Sequence, residues 1–140
     1  MSIGSDRIHD ALIVGSGAAG GAAAFHLAAA GHDVVVLERD TELRIKPCGG
    51  GMAASVQQWF PFNLQPAVDD VIQQVDFSWC LTDPVVAELP GSAPFWIVKR
   101  ERLDALLLEQ AIALGAELRR PFEVEDLQED ESHWLVRSKD

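Results

Sequence analysis

The chain is short of cysteine, short of cations and, over one long stretch, empty of charge. Among its 140 residues the two cysteines, Cys48 and Cys80, lie far apart, with no C-x-x-C and no histidine at ligand spacing. That argues against a zinc site. The four histidines, His9, His26, His32 and His133, are scattered and read as surface or capping residues. Lys and Arg number 11 against 22 Asp and Glu, for a formal net charge of −11. So acidic a balance argues against nucleic acid or an anionic membrane surface as the main partner. There is no internal repeat and no low-complexity tract. The polar MSIGSDRIHD at the amino end lacks the apolar core of a signal peptide, which makes a cytoplasmic location the expectation. From Ala11 to His32 there is no Asp, Glu, Lys or Arg. The length invites a membrane span. However, Gly15-Ser16-Gly17 and Gly20-Gly21 interrupt it and alanine is only weakly apolar, so no integral membrane segment is expected.

The charge-free stretch has a better explanation as the start of a β–α–β unit. Ala11 to Val14 read as a short buried strand. Gly15, Gly17 and Gly20 follow in the spacing G-x-G-x-x-G, then an alanine-rich helix ends at Gly31. Asp33 to Leu37 form a second strand with Glu38 at its end. In such a unit the first glycine permits a tight strand-to-helix turn and the second lets backbone approach a pyrophosphate. The third lets the helix pack close to the strands. Free N–H groups and the positive end of the helix dipole then meet negative charge. An acid at the position of Glu38 holds ribose hydroxyls and repels a 2′-phosphate. A turn kept free of carboxylates in so acidic a chain fits a dianionic ligand.

Beyond Arg39 regular structure lapses. Cys48-Gly49-Gly50-Gly51 is a costly run to order, which suggests either backbone brought close to something flat or bulky, or a flexible linker. A short helix is expected from Met52 to Trp59, closed by Pro61. Val75, Phe77, Trp79 and Leu81 alternate with polar residues as in a half-buried strand. Asp83-Pro84 turns the chain into a return strand, Val85 to Leu89, and Pro90-Gly91 turns it again into Phe95 to Lys99. Together these three strands predict an inserted antiparallel sheet. Leu103, Leu106, Leu107, Ala111 and Leu114 have helical spacing, and Gly115 suits the helix end. Ala116 to Arg119 should join the first sheet, giving the order 3-2-1 with Asp33–Leu37 in the middle. Phe122 to Leu127 and His133 to Ser138 read as a hairpin around the loop QEDES. Trp79, Phe95, Trp96 and Trp134 are assigned to core packing.

With these motifs in order, nearly the whole chain resembles a known family. The fingerprint continues as G-x-G-x-x-G-x₃-A-x₆-G through Ala24 and Gly31, a form closer to FAD-binding flavoproteins than to nicotinamide dehydrogenases. Lys46-Pro47-Cys48-Gly49-Gly50-Gly51 is similar to the KPCGGG element of the geranylgeranyl reductases. Arg100-x-x-Leu103-Asp104-x-x-Leu107 resembles that family's R-x-x-F/L-D-x-x-L segment. The resemblance implies a Rossmann-like α/β fold of the p-hydroxybenzoate hydroxylase type: an FAD-binding β–α–β with an inserted antiparallel sheet and an incomplete β-meander. The corresponding divisions are residues 1–60, 71–98 and 99–140. It implies FAD as cofactor, with Gly15, Gly17, Ala18, Ala19 and Gly20 at the pyrophosphate, Glu38 on the ribose and Arg39 against the adenine. Arg100 would reach the phosphate and ribityl region, and Cys48, Gly49, Gly50 and Gly51 would line the flavin, with Cys48 a candidate proton donor. An isoprenoid substrate and a reduced electron donor are the implied partners. The second FAD motif, a G-D element, is missing, so the chain is expected to be the amino-terminal part of a longer flavoprotein. Left alone, it should self-associate through an open sheet edge. An FAD-dependent aromatic monooxygenase-like protein and a non-catalytic nucleotide-binding fragment are the alternative readings.

Overall fold

The computed structural model describes residues 7–42, 46–92 and 94–139. In chain order the elements are β1 (Ala11–Val14), α1 (Ala18–Ala29), β2 (Val34–Leu37) and β3 (Gly51–Ala53), followed by 3-10 turns at Ala54–Trp59 and Gln65–Ala67. Then come β4 (Val68–Ile72), β5 (Gln74–Trp79), β6 (Thr82–Glu88), β7 (Phe95–Val98), α2 (Arg100–Ala113), β8 (Glu117–Arg119), β9 (Val124–Asp130) and β10 (His133–Ser138). They form two compact units, Met1–Arg44 with Asp104–Asp140, and Ile45–Leu103.

The first unit is built on a parallel sheet in the order β1-β2-β8, as the apolar runs predict. All four residues of β2 are buried, because it is the middle strand. At roughly 1.5–3 kcal/mol for each fully buried valine or leucine, this strand is a main source of the unit's stability. α1 buries Gly21, Ala24, Phe25 and Ala28, one face at helical spacing. A Cβ added at Gly21 would sit 3.0 Å from Leu107 Cβ, so the two helices approach closely there. α2 contributes Asp104, Leu107, Leu108 and Ala111 to the interior. This departs from the spacing expected above, for Leu114 is exposed at 48% and Leu108 replaces it. No helix among the described residues is long and apolar enough to cross a membrane. β9 and β10 form an antiparallel hairpin. Its strands run through most of the expected loop, because Asp130 already pairs with His133 and only Glu131 and Ser132 make the turn.

In the second unit β7 is the centre of an antiparallel sheet, β3-β7-β4. Leu64, Ala67, Trp96, Val98 and Leu103 are its buried apolar residues. The side-chain amide of Gln57 closes the loop beyond the first 3-10 turn. Its Nε2 donates to the carbonyls of Phe60 (3.1 Å) and Phe62 (2.7 Å), and its Oε1 accepts from Leu64 N–H at 2.9 Å.

Several expectations for this stretch are corrected. Met52 belongs to β3, and the helix expected from Met52 to Trp59 is a 3-10 turn that starts at Ala54. Among the described residues β5 and β6 pair only with each other, so Phe95–Val98 does not complete a three-stranded sheet with them. The hairpin turns at Cys80 and Leu81, both left-handed (φ 49° and 62°), while Asp83 and Pro84 lie within β6. Hairpins of this geometry usually carry Asn or Gly in the turn, and their absence hid it. The alternating face of β5 is also not half-buried: Phe77, Trp79 and Leu81 are exposed, at 58%, 77% and 95%. Of the four aromatics assigned to the core, Trp96 is buried and Phe95 half-buried, whereas Trp79 and Trp134 are exposed.

Candidate dinucleotide site

The turn between β1 and α1 stands at the carboxyl edge of the parallel sheet, where open α/β sheets bind their ligands. Val14 pairs with Leu37, so β1 and β2 end level with each other. Gly15 N–H then donates to the Leu37 carbonyl at 2.7 Å and fastens the turn to β2. Gly15 has φ +94°, a left-handed conformation that glycine adopts without strain. Gly20 is needed for closeness. Its missing Cβ leaves room for the Gly15 carbonyl oxygen and for Ile13 of β1. Gly17 is different, because as the N-cap of α1 it has φ −70° and ψ −177°, extended backbone open to any residue. Neither a capping side chain nor an acid occupies the start of α1. The N–H groups of Ala18, Ala19 and their neighbours therefore end the helix as a cationic pole.

Glu38 follows β2 directly and folds back onto this turn. Its Oε2 accepts two hydrogen bonds from Ser16, one from N–H and one from Oγ–H, each 2.7 Å long. Its Oε1 accepts from Asp40 N–H at 3.0 Å. Ser16 is the residue that sequence reasoning missed; the available signal was a hydroxyl between the first two glycines. Arg39 is half-exposed, with its Nε 3.9 Å from Asp40.

The other predicted site residues lie in the second unit. Cys48 and Gly49 are exposed, and Arg100 starts α2, half-buried. Gly50 is buried at φ +73°, and a Cβ there would run into the Val98 carbonyl. Gly51 lies against the Phe95 ring, whose atoms would be 3.0 Å from an added Cβ. Around Gly49 a Cβ would meet nothing within 4 Å, and its φ is not left-handed. Gly49 is thus explained neither by backbone conformation nor by a close protein neighbour, and the backbone conformation of Gly17 does not by itself require glycine.

A polar cluster ties the sheet together away from the turn. Asp33 Oδ2 lies 2.8 Å from Arg7 Nη2 and 3.2 Å from His9 Nδ1; the His9 contact is ionic in distance but not aligned as a hydrogen bond. His9 is 7% exposed in its side chain, so it is not the surface residue expected. Desolvation pushes the Asp33 carboxyl up, but the His9 contact and the Arg7 charge outweigh it and hold it below the usual 3.8. The 2.6 Å hydrogen bond from Arg119 likewise holds Glu117 below 4.5, against partial desolvation. Depressed carboxyls stabilise the fold fully above their unfolded values and lose that contribution as pH falls through the folded ones. Thermal midpoints should therefore drop on acidification from 4.5 to below 3.8, and Asp33→Asn should shrink the drop. An acid limb unchanged by that substitution would remove Asp33 as a cause.

Fold and turn together are those of an FAD-binding domain. Residues 10–78 match the family described as FAD binding domain. The similarity to geranylgeranyl reductases holds in both sequence and structure. The chain is 30% identical over 118 residues to digeranylgeranylglycerophospholipid reductase 1 of Methanopyrus kandleri, covering 78% of this chain and 28% of that protein. It is 32% identical over 124 residues to the probable electron transfer flavoprotein-quinone oxidoreductase YdiS of Escherichia coli K12, covering 81% and 29%. A geranylgeranyl bacteriochlorophyll reductase-like protein from Thermoplasma acidophilum superposes with a TM-score of 0.80 at 18% identity, covering 94% of this chain and 35% of that one. The chain spans about a third of the length of the curated relatives it matches.

Proposed function

We propose that this chain forms the adenosine-diphosphate half of an FAD site in a reductase acting on isoprenoid double bonds. The observation that carries it is the Glu38 carboxylate, anchored beside an uncapped, acid-free helix start at the carboxyl edge of a parallel sheet. In this reading the N–H groups of Gly17, Ala18, Ala19 and Gly20 receive the pyrophosphate, and Gly15 and Gly20 shape the turn that presents them. Glu38 takes the ribose hydroxyls, Arg39 lies along the adenine, and Arg100 offsets phosphate charge. Gly49 is the member of the Cys48–Gly51 run that leaves backbone open to the flavin, and Cys48 beside it is the proton donor. The bound cofactor supplies hydride; the protein holds it and keeps water away.

Titration with FAD, followed by calorimetry and flavin absorbance, tests this. Glu38→Ala should weaken binding by about 1–3 kcal/mol, the scale of a hydrogen bond to a charged group. A wild-type chain without measurable FAD affinity would favour the non-catalytic fragment instead.

The partner reading also extends to the chain itself. β1 is an edge strand of its sheet, with Leu12 and Val14 exposed at 40% and 58%. An apolar open edge is a template for pairing with another copy. Sedimentation should show concentration-dependent association that Val14→Lys reduces. A monomer at all concentrations would end this part of the reading.

A further inference from the structure

Ser16 is 1% exposed, yet nothing in the turn itself calls for a hydroxyl. The left-handed position is Gly15 and the N-cap is Gly17, which makes no side-chain cap bond. Instead, the Ser16 hydroxyl reaches across to the end of β2. It donates to Glu38 Oε2 at 2.7 Å, the same oxygen that accepts Ser16 N–H. Hydrogen bonds to an ionised acceptor are about twice as strong as neutral ones. Two of them converging on one oxygen, with Asp40 N–H on the other, leave the carboxylate little freedom to rotate. A buried hydroxyl also loses solvation on folding, and the carboxylate is what compensates it.

We infer that Ser16 is a positioning residue: it fixes the plane of the Glu38 carboxylate so that this group reads an unphosphorylated adenosine ribose. The ligand class thereby selected is an adenine nucleotide with a free 2′-hydroxyl, such as FAD or ADP. The inference rests on the FAD reading above. Loss of the Ser16 hydroxyl leaves the helix start and its N–H groups in place, so the diphosphate is still held. What falls is discrimination at the 2′ position, because a carboxylate free to turn no longer meets that hydroxyl in one geometry.

The test is calorimetric titration of the chain with ADP, 2′-deoxy-ADP and 2′-phospho-ADP. The wild type should prefer ADP to 2′-deoxy-ADP by about tenfold, the equivalent of one ordinary hydrogen bond. It should bind 2′-phospho-ADP more weakly still. In Ser16→Ala the ratio of ADP to 2′-deoxy-ADP affinity should fall toward one while 2′-deoxy-ADP itself binds nearly as before. Ser16→Cys, which keeps a side chain of similar size but only a weak donor, should lose the ratio too and serves where alanine unfolds the unit. A loosened fold would weaken all three ligands together and leave the ratios unchanged. Wild-type ratios in both variants would overturn the positioning role and leave the FAD reading standing. A wild type that binds neither ADP nor FAD would overturn both.

Discussion

Gly20→Val should abolish the cooperative thermal transition of the β1–α1–β2 unit, and FAD binding with it. A Cβ on residue 20 would overlap the Gly15 carbonyl oxygen, and it would lie 3.1 Å from that carbonyl carbon and 3.3 Å from Ile13 Cγ2. Those neighbours are mainly backbone, held by the Gly15 hydrogen bond to Leu37. They have no rotamer to change, so the helix must shift away from the sheet. Overpacking a well-packed core costs about 1–3 kcal/mol, and occasionally more. Here the carbonyl cannot yield without breaking the turn, so the upper end applies. Gly17→Val is the comparison, because the backbone conformation there is one that any residue adopts. That variant should keep its melting transition and lose FAD, since the added side chain stands where the pyrophosphate would lie. Circular dichroism melts and FAD titration on the pair decide the matter. A Gly20→Val chain that melts like wild type would contradict the geometry, and a Gly17→Val chain that binds FAD normally would remove the motif from the functional argument.

The second large effect lies in the glycine run, where adjacent positions should behave oppositely. Gly50→Leu should unfold the β3-β7-β4 sheet: the residue is left-handed, and its Cβ would collide with the Val98 carbonyl that borders β3. Val98 N–H also donates to the Gly50 carbonyl at 2.9 Å, so both sides of that contact are fixed. Gly49→Leu should leave the unfolding free energy within about 0.5 kcal/mol of wild type, as exposed substitutions usually do. Its effect, if the flavin lies there, is on FAD affinity and turnover in a longer chain. With Trp59, Trp79 and Trp134 replaced by Phe in the background, fluorescence of Trp96, buried in the centre of this sheet, reports its integrity. A Gly50→Leu chain with native Trp96 emission would return the run to the status of a flexible linker.

The contrast within that run shows what sequence can and cannot tell. A triple glycine announces close approach, but the partner is a matter of tertiary structure. For Gly50 and Gly51 the close protein neighbours are the Val98 carbonyl and the Phe95 ring. The β–α–β unit was legible because each of its signals is local: an apolar run, a glycine turn, helical spacing, a second run. β1 and β2 accordingly form where their residues indicate, paired in parallel, with β8 as the third strand. The second unit was harder because pairing is not local. Gly51–Ala53 and Val68–Ile72 lack β-branched alternation strong enough to announce a strand, and both become strands by flanking β7. Likewise the place of Glu38 at the end of β2 was readable, whereas its bonds to Ser16 depend on how the turn folds back. Exposure was the least legible property. Alternation in β5 marked a face suited to burial, and in this chain nothing covers Phe77 or Trp79 to any great extent.

The pairing of β3 with β7 has a consequence for how the chain acquires its fold. β2 and β8 are neighbours in one sheet, but the whole of Ile45–Leu103 separates them. Bringing such distant segments together costs loop-closure entropy that rises as about (3/2)RT ln n. Gly51 lies opposite Ile97 in an antiparallel ladder, so the inserted unit begins and ends at nearly the same point. Once that ladder has formed, the segment between β2 and β8 acts as a much shorter tether, and the remaining search is that of a compact β–α–β fold. The order in which the two sheets assemble is thereby biased: the insert first, the strand exchange that completes the parallel sheet second. The same closure makes the insert a natural place for sequence to lengthen or change, because what happens beyond the β3–β7 pair leaves the distance its ends must span untouched.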